Sequence, residues 1–217
     1  MDYKKLPKVI EKKADDMLER AENEEIVHGL LSLLPAGGFL DNVLFRRIKQ
    51  RARKRLEEFH VVFAKQLSDL DETKIDKDFL DSEEFDTLVM KVVARTVWEH
   101  SEEKRAFLRA VLLNSITVDL SKNPLKETIL ELLNEISPAH IKVLEAFSKN
   151  MLRGSQGFNS VSDLIKVING MQEVDADAIT YDLFKKGLLD RKSEELYRTF
   201  EISGLGKCLM AFINEPE

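Results

Sequence analysis

The stretch LDNVLFRRIKQRARKRLEEFHVVFAKQLSDL, residues 40–70, decides the fold class. Its apolar residues are Leu40, Leu44, Ile48, Ala52, Leu56, Phe59, Phe63, Leu67 and Leu70, and they recur in steps of three and four. In an α-helix that spacing places side chains on one face, whereas a strand would alternate. The spacing predicts one long amphipathic helix. Upstream, Ile10, Ala14, Met17, Leu18 and Ala21 keep the same period, which predicts a first helix from about Lys8 to Leu34. Pro35-Ala36-Gly37-Gly38 breaks it, so the first two helices should form a long antiparallel hairpin.

Downstream, residues 69–84 are acidic and irregular, with Ile75, Phe79 and Leu80 as apolar anchors. Ser82 is placed to cap a third helix carrying Phe85, Leu88, Val89, Val92, Thr96 and Val97, with Trp98 read as a packing residue. Ser101, followed by Glu102 and Glu103, is placed to cap a fourth helix facing inward through Phe107, Ala110, Val111 and Asn114. Asn123-Pro124 opens a fifth with Ile129, Leu132, Leu133 and Ile136. These elements predict a helical bundle over residues 1–136.

From Ser137-Pro138 onward the elements shorten. Three short helices follow: one with Ile141, Leu144 and Phe147, one over 161–168, and one over about 176–186 that Gly187 closes. Leu188 to Arg191 and the β-prone 196–202 flank a polar tip, and Ser203 caps a last helix. Three short helices, a hairpin and a closing helix describe a small winged-helix module over 137–217. The residues Gly187-Leu188-Leu189, Tyr197, Ser203, Leu205 and Gly206 resemble the wing and closing helix of bacterial winged-helix modules. The expected class is therefore mainly α.

Composition bounds the function. A chain of 217 residues with 43% hydrophobic and 33% charged residues can bury a sizeable core. Its net charge of −6 opposes nucleic-acid binding by the whole surface. Cys208 is the single cysteine and reads as a small buried apolar residue. The charged start of the chain lacks the apolar segment of a signal peptide. The apolar run 26–40 falls short of the ~20 residues a spanning helix needs. A cytoplasmic location is expected, with peripheral membrane contact as a secondary option.

The third helix of the C-terminal module is where a winged helix would read DNA, and it carries Asp175, Asp177 and Asp182 where phosphates would lie. Residues 137–217 hold ten Lys or Arg against twelve Asp or Glu, which leaves little charge for phosphate neutralisation. On the wing, Arg191, Lys192 and Arg198 are offset by Glu194 and Glu195. Protein docking is favoured over DNA reading. The densest positive charge lies elsewhere. Arg46, Arg47, Lys49, Arg51, Arg53, Lys54 and Arg55 put seven cations in ten residues of the second helix. The simpler reading is a solvated face paired with the acids of 69–84 or of the first helix. The sharper reading is an anion site for lipid head groups or nucleic-acid phosphate.

Enzyme signatures are thin. Glu25-Ile26-Val27-His28 and Glu57-Glu58-Phe59-His60 both read Glu-x-x-His, the spacing that presents a carboxylate and an imidazole together in di-iron bundles. Glu25, His28, Glu57 and His60 are thus metal-ligand candidates, with Glu99 and Glu131 as further carboxylates. A single match arises readily by chance in a chain so rich in Glu, and two do not. A real site also needs Glu from two other helices, and Glu57 and His60 sit at the edge of the apolar stripe. His100 and His140 sit at helix ends, where capping or solvation is the default. No nucleophile elbow, Cys–His pair or phosphate loop is present. The reading is non-enzymatic and implies no cofactor.

SEEKRAFLRAVLLNSI (101–116) followed by ILELLNEISPAHIKVLEAF (129–147) resembles the bacterial abortive-infection alpha family. That resemblance implies a role in phage defence or the stress response, and no catalytic residues. The leading expectation is an interaction or regulatory protein. The alternatives are a DNA-binding transcriptional regulator and a di-metal helical-bundle enzyme. The surplus apolar surface around the hairpin turn predicts a homodimer, with Leu30, Leu31, Leu34, Phe39, Leu40 and Leu44 in the contact.

Overall fold

The computed structural model describes residues 3–10, 12, 39–149, 164, 168, 170–191 and 200–214. Among them the protein is mainly helical, with one small antiparallel sheet of two strands. The chain divides into two compact units between Asn123 and Pro124. The sequence placed the division after residue 136. The helix Lys126–Glu135 packs against the closing helix Gly204–Ile213, and so it belongs with the C-terminal unit.

In the N-terminal unit, residues 6–10 are helical and bury Leu6 and Ile10. Most of the expected first helix and the Pro35–Gly38 turn lie outside the described residues. The long helix α1 spans Phe39–Asp69 and buries Ala52, Leu56, Phe59, Phe63 and Leu67. Phe59 and Phe63 stack with centroids 6.1 Å apart. Ile48, on the expected stripe, is exposed, and Leu70 is half-buried.

A 3-10 turn, Glu72–Lys74, and the short helix α2, Lys77–Leu80, follow. The acidic 69–84 segment is held by its own acids. Asp71 accepts from the Thr73 amide and Asp76 from the Phe79 amide, each capping a turn. Asp76 also accepts from Ser121 Oγ at 2.6 Å, and the Asp76 amide donates to the Ile116 carbonyl at 2.8 Å. Ile75 and Thr117 form an isolated bridge beside them. These contacts clip the segment to the chain after α4.

Helix α3, Glu83–Trp98, is capped by Ser82 and buries Phe85, Leu88, Val89, Val92, Val93, Thr96 and Val97. Helix α4, Glu102–Ser115, is capped by Ser101. Its second half is buried all round, from Leu108 to Ser115. Helices α1, α3 and α4 pack pairwise against one another.

The C-terminal unit begins with α5, Lys126–Glu135, and α6, Pro138–Ser148. Proline suits the first position of α6 because a donor there would have no helical partner. Leu164 is helical and fully buried. Helix α7 is Glu173–Lys185. Gly187 turns the chain with φ +71°, a region that a Cβ disfavours. Strands β1, Leu189–Arg191, and β2, Phe200–Ile202, pair antiparallel with Leu189 opposite Ile202. The expected wing tip lies outside the described residues.

Helix α8, Gly204–Ile213, closes the unit, capped by Ser203. Ser203 also donates its hydroxyl to the Gly187 carbonyl at 2.6 Å and its amide to Leu188 at 3.1 Å. Gly206 lies against Leu188, where a Cβ would stand 2.3 Å from the carbonyl oxygen. The motif Gly187-Leu188…Ser203…Gly206 is therefore one junction: a left-handed turn, a cap that reaches back to it, and a glycine that lets the closing helix touch its backbone.

Candidate functional site

Helix α7 buries Ala176, Thr180 and Leu183 on one side. Val174, Ala178, Tyr181 and Lys185 follow at steps of four, three and four, all exposed on one outward stripe. Val174 is 77% and Tyr181 50% exposed. Lys185 Nζ stands 4.6 Å from the Tyr181 ring centroid, a cation–π distance. At the base of the hairpin, Arg191 lies 5.2 Å over Phe184, which meets Phe200 at 5.8 Å. The first turn of α7 carries Glu173 and Asp175, complementing the helix dipole.

Asp182 is committed to the fold. It faces His140 Nε2 at 3.2 Å and Lys186 at 3.9 Å. His140 Nδ1 accepts from the Ser137 amide and lies 2.7 Å from Ser137 Oγ, so His140 caps α6 and links it to α7. Lys186 pairs with Glu135 at 2.8 Å. That hydrogen bond, with the charges of Asp182 and Glu135, raises the lysine pKa against desolvation. Arg191, a DNA-contact candidate, is engaged on the Phe184 ring, and Lys192 lies outside the described residues.

The basic segment lies on α1. Arg46, Arg47, Arg51, Arg53 and Lys54 are exposed, Arg55 is half-buried, and Lys49 shares the helix. The acids of the first helix, one of the two pairings the simpler reading expected, lie outside the described residues. Arg53 pairs with Glu57 at 3.4 Å and Lys54 with Glu58 at 3.7 Å, one helical turn on. Arg55 Nη1 donates to the Val97 carbonyl at 2.7 Å. Arg46, Arg47 and Arg51 face no carboxylate among the described residues. Trp98, expected to pack, is 60% exposed, because the buried stripe of α3 ends on Thr96 and Val97 and the next position turns outward.

Two buried arginines went unread in the sequence. Arg105 and Arg109 are 7% and 5% exposed. Arg105 donates to the carbonyls of Glu99 and His100 and, from Nε, to Glu102 at 2.9 Å. Arg109 Nη2 donates to the other Glu102 oxygen at 2.8 Å, and its guanidinium lies 5.7 Å over Phe59. Its Nε and Nη1 are buried without a hydrogen-bond partner. Partial burial pushes the Glu102 pKa up. The Arg109 hydrogen bond and the charges of both arginines outweigh it and hold the carboxyl below its usual value. The spacing of Glu102, Arg105 and Arg109 was the available signal.

Of the metal candidates, Glu57 is exposed and paired with Arg53, while His60 is half-buried on the same helix. Glu25 and His28 lie outside the described residues. Glu131 is exposed, and Glu99 binds the Ser101 amide and Lys104. No group of three or more metal-ligating side chains converges among the described residues. Of the dimer candidates, Phe39, Leu40 and Leu44 stand in the first turns of α1, and Leu30, Leu31 and Leu34 lie outside the described residues. No helix among the described residues is long and apolar enough to cross a membrane. Cys208 is half-buried. Comparison with family models, curated proteins and solved structures finds no match.

Proposed function

We propose that this chain is a non-enzymatic interaction protein whose C-terminal unit, read as a winged-helix-like module, docks a protein partner through the outward face of α7. The observation that carries the reading is the exposed stripe Val174–Ala178–Tyr181 on a helix whose first turn is acidic. Exposed apolar side chains grouped on one face mark contact surfaces, and aromatic residues are enriched at their centres. Glu173, Asp175 and Asp177 repel a phosphate backbone and suit a partner segment with Lys or Arg flanking an apolar centre. The sequence resemblance of 101–116 and 129–147 to the abortive-infection alpha family supports a role in phage defence or stress response.

The test is a photocrosslinking residue at Tyr181, with one at Lys207 as control. The expected result is one protein adduct from position 181, absent from 207 and abolished by Val174→Glu. No adduct at 181, together with a salt-sensitive shift of duplex DNA lost on Arg191→Ala with Lys192→Ala, overturns the reading in favour of a DNA-binding regulator.

The N-terminal unit self-associates in this reading through the apolar hairpin around Leu30, Leu31, Leu34, Phe39, Leu40 and Leu44. Leu30→Glu with Leu34→Glu gives soluble monomer on light scattering if these residues meet a second copy. Wild-type protein that is monomeric at micromolar concentration refutes the dimer.

A further inference from the structure

The basic face of α1 has no part in docking through α7, and its surroundings distinguish it from a plain solvated face. Arg47, Arg51 and Arg55 stand four residues apart and form one ridge along the helix. The ridge ends at the Val97 carbonyl, to which Arg55 donates at 2.7 Å, and the next residue, Trp98, is exposed. Arg46, Arg47 and Arg51 are exposed and meet no carboxylate among the described residues. Farther along the outward side of α1, Val61 and Val62 are 66% and 38% exposed, and Ile48 within the basic run is 36% exposed.

We propose that the Arg47–Arg51–Arg55 ridge of α1, with the exposed Trp98 that follows Val97, is a docking site for the surface of an anionic lipid bilayer. Exposed cations gain from a negatively charged surface, by about 1 kcal/mol for each Lys or Arg near it. Tryptophan favours the level of the head groups, where its ring is half apolar and its N–H finds acceptors. Arginine stems lie along apolar surface while the guanidinium stays wet. Nucleic acid is the weaker fit. A bilayer interface accepts Ile48, Val61 and Val62, whereas a phosphodiester backbone gives aliphatic side chains nothing. One indole also offers a single stacking platform where single-strand binders use several. The chain's net charge of −6 opposes approach at long range. Attachment must therefore act within about one Debye length, roughly 10 Å at 0.1 M salt.

Trp98 is the only tryptophan, so its emission reports this site directly. The full chain is titrated with vesicles of pure phosphatidylcholine and with vesicles containing 30% phosphatidylserine. The expected result is a blue shift of the emission and co-sedimentation with the anionic vesicles alone, both reversed by 1 M salt. Each basic residue near such a surface contributes about fivefold, so Arg46→Gln, Arg47→Gln and Arg51→Gln together weaken binding about 100-fold. These exposed substitutions leave the circular dichroism unchanged, which separates lost binding from lost fold. Trp98→Ala, followed by sedimentation, weakens binding severalfold. An unmoved emission, equal binding to neutral vesicles, or full binding by the triple variant overturns the site. So does duplex or single-stranded nucleic acid shifting the emission where anionic vesicles do not.

Discussion

Gly206 and Gly204 are two residues apart on α8, and substitution by alanine should have opposite effects. A Cβ at 206 would stand 2.3 Å from the Leu188 carbonyl oxygen and 2.8 Å from Ile202 Cγ1. Neither neighbour can yield cheaply. The carbonyl is backbone, and it already accepts the Ser203 amide at 3.1 Å. The start of α8 would have to retreat by about 1 Å to reach ordinary contact. That retreat strains an overpacked junction, at roughly 1–3 kcal/mol. It also loosens the Ser203 bonds to Leu188 and Gly187, each worth about 1 kcal/mol. Gly206→Ala should therefore cost about 3 kcal/mol, a large part of a typical 5–15 kcal/mol. Gly204 has nothing within 4 Å of its hypothetical Cβ and an ordinary φ. Gly204→Ala should be neutral or stabilise by up to about 1 kcal/mol through the unfolded state. Urea unfolding followed by far-ultraviolet circular dichroism gives the totals. Hydrogen exchange at the Leu188–Ile202 amides locates the loss. Trp98 lies in the N-terminal unit, so its fluorescence midpoint serves as an internal control. If Gly206→Ala falls within 0.5 kcal/mol of wild type, or Gly204→Ala is as harmful, the close-approach reasoning is wrong.

The buried arginines of α4 should differ sharply. Arg105→Met removes donors to two backbone carbonyls and to Glu102, and should cost about 3 kcal/mol, whereas Arg109→Met removes one bond and two unsatisfied donors and should stay within about 1 kcal/mol. Equal losses in thermal denaturation would contradict this. Acid should weaken the Asp76 clip. Hydrogen bonds from Ser121 and from the Phe79 amide, set against desolvation, hold the Asp76 carboxyl below its usual range. A carboxyl depressed by folding contributes stability that is fully present above its unfolded pKa, about 3.9, and lost as pH falls through the lower folded value. Ser121→Ala should cost about 1 kcal/mol at pH 7, discounted for partial exposure, with the gap to wild type closing below about pH 4. A gap independent of pH would remove Asp76 from the explanation.

What was legible in the sequence was local. The stripe of α1 announced itself because Ala52, Leu56, Phe59, Phe63 and Leu67 all face one way. The caps at Ser82, Ser101 and Ser203 were readable because each side chain bonds an amide three residues on. Helix α4 defeated the period. Eight consecutive residues from Leu108 are buried, so no face is distinguished, and Phe107, expected inside, is half-buried. Arg105 and Arg109 went unread because cations usually face solvent. Their burial depends on Glu102 and on carbonyls at the end of α3, which are tertiary facts. Trp98 was placed inside on its size, and its exposure follows from the angular position of one residue at a helix end. Of the candidate sites, the cations of α1 were legible as a cluster. The Arg55–Val97 bond that ends their ridge was not, because it joins residues far apart in sequence.

Stability and contact are carried by different residues here, and that makes the functional readings testable. The fold rests on positions such as Phe59, Phe63, Leu183, Ser203 and Gly206, all buried, where substitution propagates through packed neighbours. The two candidate surfaces use residues that the core does not need: Val174 and Tyr181 on α7, and Arg46, Arg47, Arg51 and Trp98 in the N-terminal unit. An exposed side chain away from caps and ion pairs changes stability by no more than about 0.5 kcal/mol when replaced. Loss of a crosslink on Val174→Glu, or of vesicle binding on the triple glutamine substitution, would therefore report a lost contact. Arg55 breaks this separation, since its guanidinium serves both the ridge and the Val97 carbonyl. Arg55→Gln should lower stability and vesicle binding together, which is why the binding test rests on Arg46, Arg47 and Arg51.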